Sequence, residues 1–201
     1  MTAKTMIEKI AKKVVTWQVQ KDYLLIKDET LYIYAYELLI GQAVNILIAC
    51  FLAIVFHVYT IVLIFLVSYI PLRSYAGGYH AKSYNMCTIA STVMVCIVCI
   101  ASKVIPYDSI IWLNLAGGMI SGILIFKLAP VQDHNKPLEQ VERECYRRRS
   151  REIWALETAL CAVCYLLNFK NISLAIILGH LALSVMLCIG RVKNKIYAEK
   201  I

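Results

Sequence analysis

The stretch richest in reactive groups runs from Pro71 to Cys87 and reads Pro-Leu-Arg-Ser-Tyr-Ala-Gly-Gly-Tyr-His-Ala-Lys-Ser-Tyr-Asn-Met-Cys. It sets His80 seven residues before Cys87. An imidazole that takes a thiol proton and later returns it to a departing amine is the smallest unit of thiolate acyl transfer. On one continuous helix, residues seven apart are separated by roughly 10 Å along the axis, too far for proton transfer. Partnership therefore requires a turn near Ser83 to Asn85 that folds His80 back over the start of a helix at Cys87. The positive end of such a helix favours a thiolate. Gly77 and Gly78 tolerate unusual backbone dihedrals and let a second chain, such as a peptide substrate, lie close against the main chain. Taken singly, Cys87 also fits a buried apolar thiol and His80 a loop histidine. Among the other histidines, His57 and His180 fall at or inside apolar runs, and His134 is the rival base.

The elements that must carry this loop are apolar and long. Of 201 residues, 60% are hydrophobic and 17% charged, a balance typical of a bilayer protein and not of a water-soluble domain. The pattern predicts an all-α, polytopic integral membrane protein forming a single domain over residues 1–201, with about six spans at 38–56, 58–72, 86–105, 109–129, 153–169 and 171–189. The second span is short, and a four-span arrangement with re-entrant segments also fits. Residues 1–30 read as an amphipathic segment: Ile7, Ile10, Ala11, Val14 and Val15 share a helical face, and Trp17 suits headgroup depth. That face serves equally for lying on the membrane or for packing on the bundle. Residues 71–87 are the expected catalytic loop and 130–152 a basic loop.

Charge orients the spans. With six spans, 19 of the 21 lysines and arginines fall on one side and only Lys103 and Lys170 on the other. Because basic residues are retained in the cytoplasm when loops are short, both termini and the 71–87 loop are expected there, in a multi-pass protein of a cell membrane. The net charge of +8 belongs to segments flanking the membrane, which argues against a nucleic-acid partner. In 139–151, Glu139 with Arg143 and Glu144 with Arg148 have the spacing of helical ion pairs, followed by the cluster Arg147, Arg148, Arg149 and Arg151. The cluster fits either membrane orientation or recruitment of an acidic segment.

Eight cysteines lie mostly within spans, so free thiols are expected. The pairs Cys96/Cys99 and Cys161/Cys164 have zinc-ligand spacing but no acidic or histidine neighbour in sequence, and read as helix-packing residues; no metal or cofactor is expected. Gly118 and Gly122 have the small-x-x-x-small spacing of helix contacts, within the chain or between two copies.

Arg73-x-x-Ala76-Gly77-Gly78-x-His80, with Cys87 seven residues on, resembles the accessory gene regulator B family of Gram-positive quorum sensing. Ala129-Pro130-Val131 through Lys136-Pro137-Leu138 resembles a second motif of that family, and the likeness covers nearly the whole chain. The resemblance implies a cysteine endopeptidase with His80 and Cys87 as its catalytic pair, and Arg73, Gly77, Gly78, Lys136 and Pro137 in substrate binding or structural support. It also implies a small autoinducer propeptide as substrate, whose N-terminal part becomes a thioester on Cys87 and then a thiolactone or lactone ring. A homodimer is the expected assembly. The competing classes are a small peptide exporter, against which the scarcity of charged residues in the spans argues, and a membrane scaffold.

Overall fold

A computed structural model of the chain describes residues 6–79, 84–132 and 138–198. Seven α-helices make up the described residues: α1 (Met6–Gln20), α2 (Glu29–Val55), α3 (Tyr59–Ala76), α4 (Tyr84–Val104), α5 (Ile110–Leu128), α6 (Gln140–Leu166) and α7 (Lys170–Ala198). The all-α membrane architecture read from the sequence is what the structure has. Five helices, α2, α3, α4, α5 and α7, are long and apolar enough to cross a bilayer.

The expected span at 153–169 differs. Residues 153–166 belong to α6, which runs unbroken for 27 residues from the charged segment into the apolar one. Its charged half and the internal Glu157 keep it below the apolarity of the other five. A capping box starts it: Glu139 caps the helix, and the Glu142 carboxylate accepts from the Glu139 N–H at 3.3 Å. The expected ion pairs shift accordingly. Glu139 is spent on the cap, and Arg148 pairs with Glu152 at 2.7 Å, one turn further along.

Short hairpins follow from helix ends that curl back. After α1, α2 and α6 the residues Asp22, His57 and Asn168 take left-handed φ values of 56°, 53° and 65°. At each, its own N–H and the next one reach back to the last turn, as in Phe169 N to Cys164 O (2.8 Å) and Val58 N to Ala53 O (3.0 Å). This closure satisfies the terminal carbonyls without a long loop, which matters where water is scarce.

The described residues divide between two compact units. The smaller contains α1, α2 as far as Phe51, and the start of α4 to Thr92. Within it Ala11 and Val15 are fully buried, and Gln18 Nε2 of α1 donates to the Tyr36 hydroxyl of α2 at 2.7 Å, so α1 packs on protein along the face the sequence marks as apolar. Trp17 stays half exposed.

The larger unit is a bundle in which α7 packs against α3, α5 and α6. Phe65, Leu72, Ile110, Ile125, Leu174, Ile177, Leu183 and Leu187 fill its core. Several buried polar groups are satisfied across helices, as burial in an apolar bundle favours. Asn114 Nδ2 donates to Ser173 Oγ at 2.6 Å, Trp154 Nε1 donates to Ser121 Oγ at 3.1 Å, and the Cys161 thiol lies 3.2 Å from Ser173 Oγ. His180, 1% exposed, meets Glu157 at 2.9 Å between Nε2 and Oε2. The bundle is thus not empty of ionisable groups: an acid on α6 and a histidine on α7 meet through one buried hydrogen bond.

Candidate active site

The loop that the chemistry points to starts later than the sequence suggests. Pro71 does not end α3; the helix continues to Ala76, with the Ser74 hydroxyl donating to the Ile70 carbonyl at 2.8 Å. Gly77 then turns the chain, at φ 71°, and its N–H closes the helix on Arg73 O at 2.9 Å. Gly78 follows at φ 126°. Both values belong to backbone regions that only glycine enters without strain.

The space saved by the absent side chains is filled by the protein itself. A Cβ on Gly77 would stand 2.2 Å from the Val131 carbonyl oxygen, and one on Gly78 would stand 2.9 Å from the Arg73 guanidinium and 3.2 Å from the Met186 carbonyl oxygen. Gly77 and Val131 form an isolated parallel bridge: Val131 N donates to Ala76 O at 2.9 Å, and Gly78 N donates to Val131 O at 3.2 Å. The two motifs noted in the sequence, more than fifty residues apart, are therefore joined backbone to backbone. The Ala129-Pro130 peptide that leads into Val131 is cis.

Arg73 completes the clamp. Its guanidinium donates to the carbonyls of both Gly77 and Tyr79 and lies 5.9 Å from the centre of the Tyr69 ring. The contacts of Arg73, Gly77 and Gly78 are those of structural support for the chain entering His80. Tyr79 N donates to Met186 O on α7 at 2.9 Å, and the Lys193 ammonium lies 5.4 Å from the Tyr79 ring centre. Asn194, also on α7, donates to Gln132 O at 2.8 Å. These α7 residues escaped the sequence reading. The available signal was Gly190, a glycine inside a helical run, which is unfavourable relative to alanine and so usually marks a close approach.

Cys87 stands on the first turn of α4 and is exposed. His80, Ser83, His134, Lys136 and Pro137 lie outside the described residues. The two other described histidines are engaged elsewhere: His180 with Glu157, and His57 Nδ1 with the Tyr59 hydroxyl at 3.2 Å. All eight cysteines are free thiols, and among the described residues no group of three or more potential ligands could hold a metal ion.

The basic segment flanks the same end of the larger unit. Tyr146 of α6 meets Tyr75 of α3 edge to face, with ring centres 5.6 Å apart. Arg151 is tied down, donating to Phe126 O at 3.0 Å with its guanidinium 4.7 Å over the Phe126 ring. Arg148 and Arg149 share Glu152. Arg143 and Arg147 instead line an open recess of about 360 Å³ with Leu138, Gln140 and Glu144.

Comparison with known proteins finds relatives of this chain. An AgrB-like protein 2 of Clostridium perfringens strain 13 is 26% identical over 113 residues, 53% of this chain and 52% of the relative. An AgrB-like protein of Clostridium perfringens strain SM101 is 25% identical over 156 residues, 70% of this chain and 72% of the relative. The first match thus spans about half the length of that relative. No solved structure matches. The sequence profile of accessory gene regulator B matches residues 3–187, from the start of α1 into α7, and the chain belongs to that family.

Proposed function

We propose that the protein is a membrane cysteine endopeptidase that cuts a small autoinducer propeptide and passes its acyl group to a nucleophile within the same peptide. The observation that carries this reading is the backbone clamp on residues 76–79. It fixes the chain up to the residue before His80, while Cys87 stands exposed on the first turn of α4. A dyad needs such control over the approach of its base. Family membership supplies the substrate class.

In this mechanism His80 takes the Cys87 proton, and the thiolate attacks a propeptide carbonyl. The C–N bond breaks, the protonated His80 gives its proton to the leaving amine, and the C-terminal tail departs. A thiol or hydroxyl within the bound peptide then attacks the thioester, closing a ring and releasing the Cys87 sulfur. Water must be kept out, because hydrolysis would give a linear peptide. The recess between Arg143 and Arg147, on the helix that brings Tyr146 to Tyr75, is suited to an acidic tail. The asymmetry of basic residues supports cytoplasmic termini and a cytoplasmic site. Exposed apolar faces on α2 and α4 offer surface for lipid and for pairing of two copies.

The test is co-expression of a cognate propeptide with wild-type, Cys87→Ser and His80→Ala proteins. Tail release and an acyl adduct on Cys87, detected by intact mass, are expected for wild type alone. Normal tail release by Cys87→Ser defeats the proposal. One observation favours an exporter as the second reading: the buried Glu157–His180 pair is the kind of intramembrane ionisable group that transport uses. Under that reading, which involves no proteolysis, substituting the pair blocks appearance of peptide outside the cell, and detergent-solubilised wild-type protein releases no tail.

A further inference from the structure

We propose that the last turns of α7 position the catalytic loop, with Gly190 as the residue that lets them do so and Asn194 as the second point of attachment. The proposal rests on the reading of His80 and Cys87 as the reacting pair.

In an α-helix the carbonyl of Met186 belongs to the N–H four residues on, at Gly190. Here Tyr79 N also donates to that carbonyl, at 2.9 Å, from outside the helix. Sharing one acceptor brings the Gly78–Tyr79 peptide directly onto the surface of α7 at Gly190. A Cβ there would stand 2.7 Å from Gly78 C, 2.8 Å from Tyr79 N and 3.1 Å from Gly78 O. The obstructing atoms are main chain and cannot rotate away. Any side chain at 190 must push aside the Gly78–Tyr79 peptide, which ends one residue before His80.

One turn further along α7, the side-chain amide of Asn194 holds Gln132 O at 2.8 Å. Gln132 follows Val131, whose backbone bonds to Ala76 and Gly78. Gly190 therefore sets how close Gly78 and Tyr79 come to α7, and Asn194 holds the residue that follows Val131, the bonding partner of Ala76 and Gly78. Neither side chain takes part in bond breaking. Their effect falls on the geometry of proton transfer, where a misplacement of about 1 Å lowers the rate about a hundredfold.

Full-length Gly190→Ala in membranes, with propeptide, provides the test. Expected are a fall in kcat for tail release of about ten- to a hundredfold, with KM within about twofold, as for misplaced catalytic groups. Cys87 should also lose reactivity toward iodoacetamide at pH 6, its pH–rate profile moving to that of His80→Ala. Gly118→Ala is the control, since a Cβ at Gly118 meets nothing within 4 Å, and it should match wild type in every measurement. If Gly190→Ala does not accumulate, Asn194→Ala decides: a severalfold loss of kcat, partly restored by Asn194→Gln, supports the proposal. Wild-type kcat and alkylation profile in Gly190→Ala, or in Asn194→Ala when the former does not accumulate, overturn it. His80→Ala and Cys87→Ser separate the two ideas. If both still process, the catalytic reading falls first; if both are dead while Gly190→Ala is normal, only the role of α7 falls.

Discussion

The main-chain N–H of Tyr79 donates to the carbonyl of Met186 at 2.9 Å, a bond between residues 107 positions apart that ties the chain before His80 to the most buried helix of the larger unit. Its neighbours on either side, Gly78 against Val131 and Gln132 against Asn194, make the attachment a cluster of bonds. Disturbing any of them should therefore have effects that reach the site.

Gly77→Ala is the most direct disturbance. The new side chain would sit at φ 71° with its Cβ 2.2 Å from Val131 O, a backbone atom. Strain of this kind costs about 1–3 kcal/mol before the clash is counted. Lower thermal stability in detergent and loss of tail release are expected together, measured on the same preparation.

The buried Glu157–His180 pair should behave as a unit. Removing one partner leaves the other buried without its counter-group, a loss of about 3–5 kcal/mol, whereas replacing both with apolar residues of similar volume is tolerated far better. Denaturant titration of Glu157→Ala, His180→Ala and the double variant Glu157→Met with His180→Leu checks this. A double variant as damaged as the sum of the singles would show that the two do not interact.

Two glycines on α5 should give opposite results. A Cβ at Gly122 would stand 2.6 Å from the Trp154 ring, which meets Phe126 edge to face at 5.6 Å between ring centres. Gly122→Ala should destabilise by about 1–3 kcal/mol. Gly118→Ala should be neutral or stabilising by up to about 1 kcal/mol, because alanine favours the helix and the space is open. Thermal midpoints of the two variants make the comparison.

The arginines of α6 should divide by their partners. Arg151→Ala loses a hydrogen bond and a ring contact at Phe126 and should cost about 1–2 kcal/mol of stability. Arg143→Glu with Arg147→Glu should leave stability unchanged and slow propeptide processing most at low salt, where unscreened attraction contributes most. Processing rates across a salt series, alongside melting curves, distinguish the two roles.

Much of this protein was legible in its residues. Membrane-length apolar runs depend only on neighbours within one segment, so the spans on α2, α3, α4, α5 and α7 could be marked in advance. The apolar face of α1 followed from helical periodicity. The boundary at Pro71 was misjudged because a proline removes a single helix hydrogen bond, and an apolar environment favours keeping the rest. Glu139 was assigned an ion pair because spacing alone does not reveal where a helix starts, and the start at Gln140 makes it a cap.

What only the tertiary structure decided is which distant groups meet. Nothing local to Gly77 names Val131 as the backbone that fills its missing side chain, and nothing local to Gly190 names Tyr79. Nor does an acid in one apolar run reveal that it meets His180, 23 residues along the chain on the next helix. Such pairings depend on how α3, α6 and α7 pack, a property of the whole bundle. Sequence alone supplied the reactive groups and the helices that bear them, and the packing around α7 decided what holds the chain next to those groups in place.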